Sequence, residues 1–100
     1  MKTVYKYPLN QVKDGESDPC VVQDILMPVF SNILHVHVQN GIPTLWAETD
    51  DNPNTTKETR TIRFYMTGEP FDSGMDHIYI GTIHVTGYVL HIYELQEYHE

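Results

Sequence analysis

The sequence predicts an all-β fold: a small antiparallel sandwich or a strongly curled sheet of about seven short strands. Three observations lead to this prediction. Apolar and polar side chains alternate with a period of two in several short runs, and turn-forming residues separate these runs. The one stretch with a helix-like pattern, residues 23–32, contains Pro28 in its interior. A chain of 100 residues suits one hydrophobic core, so we expect a single domain over residues 1–95 and a frayed tail over 96–100.

The clearest local prediction is a β-hairpin whose turn is Asn40-Gly41, because both positions of a type I′ turn need positive φ. Counting back from this turn places Val38 opposite Pro43 and His35 opposite Trp46. The side chains expected on the buried face are Leu34, Val36, Val38, Leu45 and Ala47. Those expected on the opposite, amphipathic face are His35, His37, Thr44, Trp46 and Glu48.

A later strand is predicted over residues 59–67. Its inward side chains are expected to be Ile62, Phe64 and Met66, and its outward ones Thr61, Arg63 and Tyr65.

The last two predicted strands, residues 78–85 and 89–95, flank a turn at Gly87-Tyr88, which would set His84 opposite His91. A turn at Thr86-Gly87 is the alternative, and it separates the two histidines without changing which apolar residues share a face.

Charge and composition exclude several classes of function. The formal net charge is −8, and such a surface repels duplex nucleic acid and anionic membranes. This negative charge either attracts a basic partner or only keeps the protein soluble. Cys20 is the only cysteine, which excludes an internal disulfide. Residues 1–8 have no apolar signal-peptide region, so we expect a cytoplasmic location.

Two binding hypotheses follow from the polar and aromatic residues. In the first, Trp46, Tyr65 and Tyr79 belong to an acidic, aromatic surface that contacts a protein, unless they fill the core. In the second, oligomers of the domain enclose and sequester a small anionic ligand such as a nucleotide, held by Arg60 and Arg63 with Tyr65 beside Arg63. The alternative for both arginines is pairing with surface carboxylates, which outnumber them.

Metal binding and catalysis receive less support. His35 and His37 lie on one strand face, roughly 6–7 Å apart along the strand, and form a pair that needs a third ligand to hold a metal ion. No nucleophile, base and orienting group can be named together, and no glycine motif for a phosphate or dinucleotide is present. We therefore expect a non-catalytic protein without a cofactor.

Four stretches of the chain resemble a family of small, mostly uncharacterised proteins of tailed bacteriophages and prophages. They are residues 2–9 (KTVYKYPL), 38–47 (VQNGIPTLWA), 63–70 (RFYMTGEP) and 79–82 (YIGT). Relatives often carry histidine where this chain has Glu69. The resemblance implies an accessory protein in the cytoplasm of an infected bacterium, which inhibits or sequesters a host defence factor. It supplies no catalytic residue. Because a small sheet leaves open edges, we also expect self-association into a homo-oligomer.

Overall fold

The computed structural model describes residues 1–9, 22–85 and 87–97. These residues form an all-β structure, as predicted, and all strand pairs are antiparallel. This part of the chain contains no helix long and apolar enough to cross a membrane. The strands are β1 (Lys2–Pro8), β2 (Val22–Pro28), β3 (Asn32–Gln39), β4 (Ile42–Asp50), β5 (Lys57–Met66), β6 (Met75–Val85) and β7 (Tyr88–Glu97).

The strands form two sheets. The first sheet has the order β1-β4-β3, and the second has the order β2-β5-β7-β6. Their inner faces enclose one hydrophobic core, to which the first sheet contributes Val36 and Leu45 and the second contributes Phe64, Leu90 and Ile92. The two sheets therefore pack as a small sandwich, which leaves the outer face of each sheet available for other roles.

The hairpin of β3 and β4 is confirmed. Asn40 and Gly41 have φ values of 52° and 78°, as a type I′ turn requires. The predicted register holds from Val38 opposite Pro43 back to His35 opposite Trp46.

The predicted alternation is wrong beyond His35, because a β-bulge interrupts β3. Leu34 is the extra residue, and its side chain is 49% exposed instead of buried. Ile33 takes its place against the core. Thr44, predicted on the amphipathic face, is buried, and its Oγ1 donates a hydrogen bond to the carbonyl of Ile42 at 3.0 Å.

Strand β5 follows the predicted alternation in its centre but not at its end. Ile62 and Phe64 are fully buried. Met66 was predicted to point into the core, and this is wrong: it is 38% exposed. Met66 is the last residue of β5 and the chain turns there, with the amide of Glu69 bonded to the Met66 carbonyl at 3.0 Å. The end of the strand is therefore packed less completely than its centre.

The preferred register of β6 and β7 is also wrong. His84 pairs with Val89, and His91 pairs with Thr82, so the two histidines are not opposite each other. This register is the one expected for the alternative turn, of which Gly87 has a φ of 82° and Thr86 lies outside the described residues. The apolar residues of both strands keep the predicted buried face.

A second β-bulge, in β6, decides which side chains reach the outer face of the second sheet. Ile80 is the extra residue, since Tyr79 and Gly81 pair with consecutive residues of β7. Gly81 therefore faces the first sheet, where an added Cβ would lie 2.7 Å from Cγ1 of Val36. Tyr79 and His77 point to the opposite, outer face. Without this bulge their side chains would point inward.

The end of the domain differs from the prediction. β7 continues to Glu97, and Gln96 pairs with Asp76, so the first two residues of the predicted tail belong to a strand. Residues 98–100, the predicted polar loop at 10–19 and Cys20 lie outside the described residues.

Candidate functional site

Five rings lie together on the outer face of the second sheet, and we call Tyr65, Phe71, His77, Tyr79 and Tyr93 the ring cluster. The ring centroid of Tyr93 is 5.8 Å from that of Tyr65, 4.9 Å from Phe71, 5.8 Å from His77 and 5.3 Å from Tyr79. Phe71 stacks on His77 at 4.3 Å. Tyr65 is 1% exposed, whereas Phe71 and Tyr79 are 52% and 57% exposed. The cluster thus has a buried base and an exposed top.

Residues 67–74 join β5 to β6 and carry Phe71 over the sheet; we call them the covering loop. Arg63 holds this loop in place. Its Nη2 donates to a carboxylate oxygen of Glu69 at 2.9 Å, and its Nε donates to Asp72 at 3.1 Å. The guanidinium carbon also lies 4.1 Å from the ring centroid of Tyr65.

Tyr65 fixes the same loop from below. Its hydroxyl oxygen accepts a hydrogen bond from the amide of Asp72 at 2.9 Å and lies 2.8 Å from Nε2 of His77. Tyr65 and Arg63 therefore act on the covering loop together, and Phe71 is presented in a defined position.

Both carboxylates of the loop ionise more readily than usual. The hydrogen bond from Arg63 is the largest cause that lowers the pKa of Asp72. The pKa of Glu69 is lowered first by the amide of Met66, which donates to its Oε1 at 3.0 Å, and then by Arg63. The two carboxylates are therefore charged at neutral pH, when their ion pairs with Arg63 hold the loop.

A chain of hydrogen bonds joins the covering loop to the exposed top of the cluster. Nε2 of His91 lies 2.8 Å from the hydroxyl of Thr67, and its Nδ1 lies 3.0 Å from the hydroxyl of Thr82. The Thr82 hydroxyl is in turn 2.6 Å from that of Tyr79. This chain fixes the exposed Tyr79 ring through its hydroxyl group.

Arg60, predicted to act together with Arg63, lies on the opposite face of the second sheet. Its guanidinium makes a bidentate ion pair with Glu94, through Nε and through Nη2 at 2.8 Å. Its Nη1 donates to the carbonyl of Ser31 at 2.8 Å. The Glu94 hydrogen bond is the main cause that raises the pKa of Arg60. Both arginines thus pair with carboxylates, but the alternative of surface carboxylates holds only for Arg63, because Glu94 is buried.

The remaining predicted site residues lie on the outer face of the first sheet. The ring centroid of His35 is 5.9 Å from that of His37 and 6.2 Å from that of Trp46. Among the described residues, no group of three or more His, Cys, Asp or Glu side chains is placed to hold a metal ion. The histidine pair therefore lacks a third ligand in this part of the chain.

The site brings together three of the predicted residues, Arg63, Tyr65 and Tyr79, and adds others that sequence reasoning missed. The missed residues are Glu69, Phe71, His77 and Tyr93. Asp72 and His91 join them here. A phenylalanine within an otherwise polar loop is the one signal in the sequence that indicates the loop folds back onto a ring surface.

Fold and site define a class: a two-sheet β-sandwich with an aromatic site on one outer face. The chain belongs to the family described as Domain of unknown function (DUF7352), which matches it over residues 1–100. No curated protein and no solved structure matches the chain. The family description names no activity, so a function has to be inferred from the site.

Proposed function

We propose that this protein is a non-catalytic binding protein that attaches to a protein partner through the ring cluster. The observation that carries this proposal is the half-exposed pair Phe71 and Tyr79 on a buried aromatic base. Tyrosine and phenylalanine contribute large contact areas, and they dominate binding where their conformation is already fixed. The stacking and hydrogen bonds of both rings reduce the entropy that binding has to remove.

The charge of the molecule favours a partner with a basic surface. The chain has a formal net charge of −8, and at the ring cluster the carboxylates of Glu69 and Asp72 outnumber the guanidinium of Arg63. A basic partner would be steered toward such a surface and would associate faster at low salt.

The biological setting of the proposal rests on the sequence resemblance to bacteriophage and prophage proteins. In that setting the protein acts in the cytoplasm of an infected bacterium and inhibits or sequesters a host defence factor by binding it. Self-association into a homo-oligomer stays a prediction, which light scattering of the purified protein tests directly.

The alternative of an oligomeric sponge for a nucleotide at the two arginines has less support. Arg60 binds Glu94, Arg63 binds Glu69 and Asp72, and the two guanidinium groups lie on opposite faces of the sheet. A phosphate would have to displace carboxylates that are already in place. A metal function at His35 and His37 lacks a third ligand among the described residues.

Affinity capture from a lysate of a bacterium that carries this gene tests the proposal. The wild-type protein is compared with Tyr79→Ser and Phe71→Ser, and Phe30→Ser serves as the matched control because Phe30 is 89% exposed and lies between β2 and β3, outside the ring cluster. We expect one protein species to be retained by the wild type and by Phe30→Ser, and its recovery to fall about tenfold or more with either cluster variant.

Equal recovery with all four proteins would show that the captured species binds elsewhere. Recovery of no specific species at all would count against protein binding. Circular dichroism of each variant establishes that the β-fold is intact before capture is compared.

A further inference from the structure

A cavity lies between the edge strands β1 and β2, and none of its lining residues belongs to the ring cluster or the covering loop. Its volume is about 310 Å³, which is at the lower end of the range for small-molecule sites. Its lining combines aromatic and apolar side chains with polar and charged ones. The walls include Tyr5, Tyr7, Leu26 and Pro28.

The hydroxyl of Thr49 singles out this cavity. Thr49 lines it and is 1% exposed, and its Oγ1 has no hydrogen-bond partner among the described residues. On β4, Thr49 shares the inner face with Leu45 and Ala47, which pair with Tyr7 and Tyr5. The hydroxyl is therefore on the same side of the sheet as the two tyrosine rings. A buried hydroxyl without a partner is costly, so a ligand group that reached it would gain a hydrogen bond that the described residues do not supply.

The cavity is lined by charges of both signs, and most of them already face a group of this chain. Asp50 and Asp51 also line it, but their carboxylates lie 3.6 and 3.4 Å from the Met1 ammonium group. Lys6 extends away, and its Nζ donates to Gln39 at 3.3 Å. The amino group of Lys57 makes no ion pair with the described residues, which leaves it free for a ligand.

We propose that this cavity binds a small aromatic anion, stacked on Tyr5 and Tyr7, hydrogen-bonded to Thr49 and ion-paired with Lys57. Tyrosine rings stack on planar ligands, and a lysine ammonium binds a phosphate or carboxylate as a point charge. The proposed site uses neither Arg60 nor Arg63, so it is independent of the ring cluster and of the protein-binding function proposed above.

The test uses two probes, adenosine monophosphate and phenyl phosphate, in nuclear magnetic resonance titrations of the full chain. We expect saturable shifts at the amides of Tyr5, Tyr7, Thr49 and Lys57 with at least one probe. Adenosine, which lacks the charge, and inorganic phosphate, which lacks the ring, should each bind about tenfold more weakly or worse, because each loses one class of contact.

Two variants locate the binding groups. Thr49→Val keeps the shape of the side chain and removes a buried unpaired hydroxyl, so its melting temperature should equal or exceed that of the wild type. Its affinity for the better probe should nevertheless fall about tenfold, the value of one lost hydrogen bond. Lys57→Gln should weaken binding by a similar factor, roughly tenfold, because it removes a charge-assisted contact. Lys2→Gln, a lysine that pairs with Glu48, is the control and should leave the affinity unchanged.

No saturable shift with either phosphate probe would overturn the proposal, as would shifts centred outside the cavity. Unchanged affinity in Thr49→Val would also overturn it, since the ligand would then make no hydrogen bond to this hydroxyl. Because neither variant touches the ring cluster, lysate capture should be the same as for the wild type, so failure here is distinguishable from failure of the proposed function.

Discussion

Two arginines of β5 differ in what they stabilise, although only two residues separate them. Arg60 and Arg63 project from opposite faces of the second sheet, because side chains alternate along a strand. In the ion pair of Arg60 with Glu94, the carboxylate is buried at 7% side-chain exposure and the guanidinium is partly buried at 14%. Arg63 is more deeply buried, at 9%, but its partners Glu69 and Asp72 are 33% and 48% exposed.

The exposure of the partner carboxylates determines how much stability is lost when each arginine is replaced. Without Arg60, the buried Glu94 carboxylate would lose the cation that pairs with it among the described residues, which is strongly unfavourable whether it stays charged or takes up a proton. Without Arg63, the carboxylates of Glu69 and Asp72 could be solvated by water. We infer that Arg60 maintains the sandwich, whereas Arg63 maintains the covering loop and with it the proposed binding surface.

The largest expected effect is that of Arg60→Met, which we expect to lower the free energy of unfolding by about 3–5 kcal/mol. Urea denaturation followed by Trp46 fluorescence measures this loss. The double variant Arg60→Met/Glu94→Met removes both charges and should recover most of it, because no buried carboxylate is left unpaired. A loss of less than about 1 kcal/mol for the single variant would contradict the role of Arg60 in maintaining the sandwich, since it would mean that Glu94 is solvated.

A smaller loss, about 1–2 kcal/mol, is expected for Arg63→Met, which retains much of the packing of the side chain on Tyr65. The same urea experiment measures it. Amide hydrogen exchange should accelerate in the covering loop and remain slow in the core strands, because the loop loses its anchor locally. If Arg63→Met cost more than Arg60→Met, the assignment of the two roles would be reversed.

Tyr65→Phe isolates the hydrogen bonds beneath the loop and should cost about 1 kcal/mol. The ring remains in the cluster, but the amide of Asp72 loses its acceptor and should exchange faster. Tyr79→Phe is the matched control: its hydroxyl bonds to Thr82 at the surface, so the cost should be smaller. Equal costs would indicate that the hydroxyl of Tyr65 does not anchor the loop.

Acid should reduce the difference in free energy of unfolding between the wild type and Arg63→Met. The pKa values of Glu69 and Asp72 are lowered in the folded protein from ordinary values of 4.5 and 3.8. The stability from these ion pairs is therefore present above the ordinary values and is lost as the pH falls through the lowered ones. Urea denaturation of both proteins at neutral pH and at about pH 3 measures this difference in free energy of unfolding. A difference that increased in acid would contradict the ion-pair explanation.

Local chemistry explains which parts of the fold were predictable. The turn Asn40-Gly41 fixes its own backbone angles, so the register of β3 and β4 could be counted from it. The strands were visible because alternation is a local property. A β-bulge, in contrast, reverses the alternation with one residue of ordinary type, and neither Leu34 nor Ile80 differs from its neighbours in a way that marks it.

The site was predictable only in part for the same reason. Arg63 and Tyr65 could be placed on one face because they are two residues apart on one strand. Tyr79 joins them only because the bulge at Ile80 turns it outward. The partner of Arg60, Glu94, is 34 residues away, and pairing over that distance depends on the strand order, which the sequence left open.

The two bulges also bear on how copies of the chain would meet. Leu34 and Ile80 lie in β3 and β6, which are the outermost strands at one side of the sandwich. An irregular rim offers poorly spaced amide and carbonyl groups to an incoming chain, and proteins use this device to discourage runaway stacking into fibrils. β1 and β2, at the opposite rim, pair with their neighbours without a register shift.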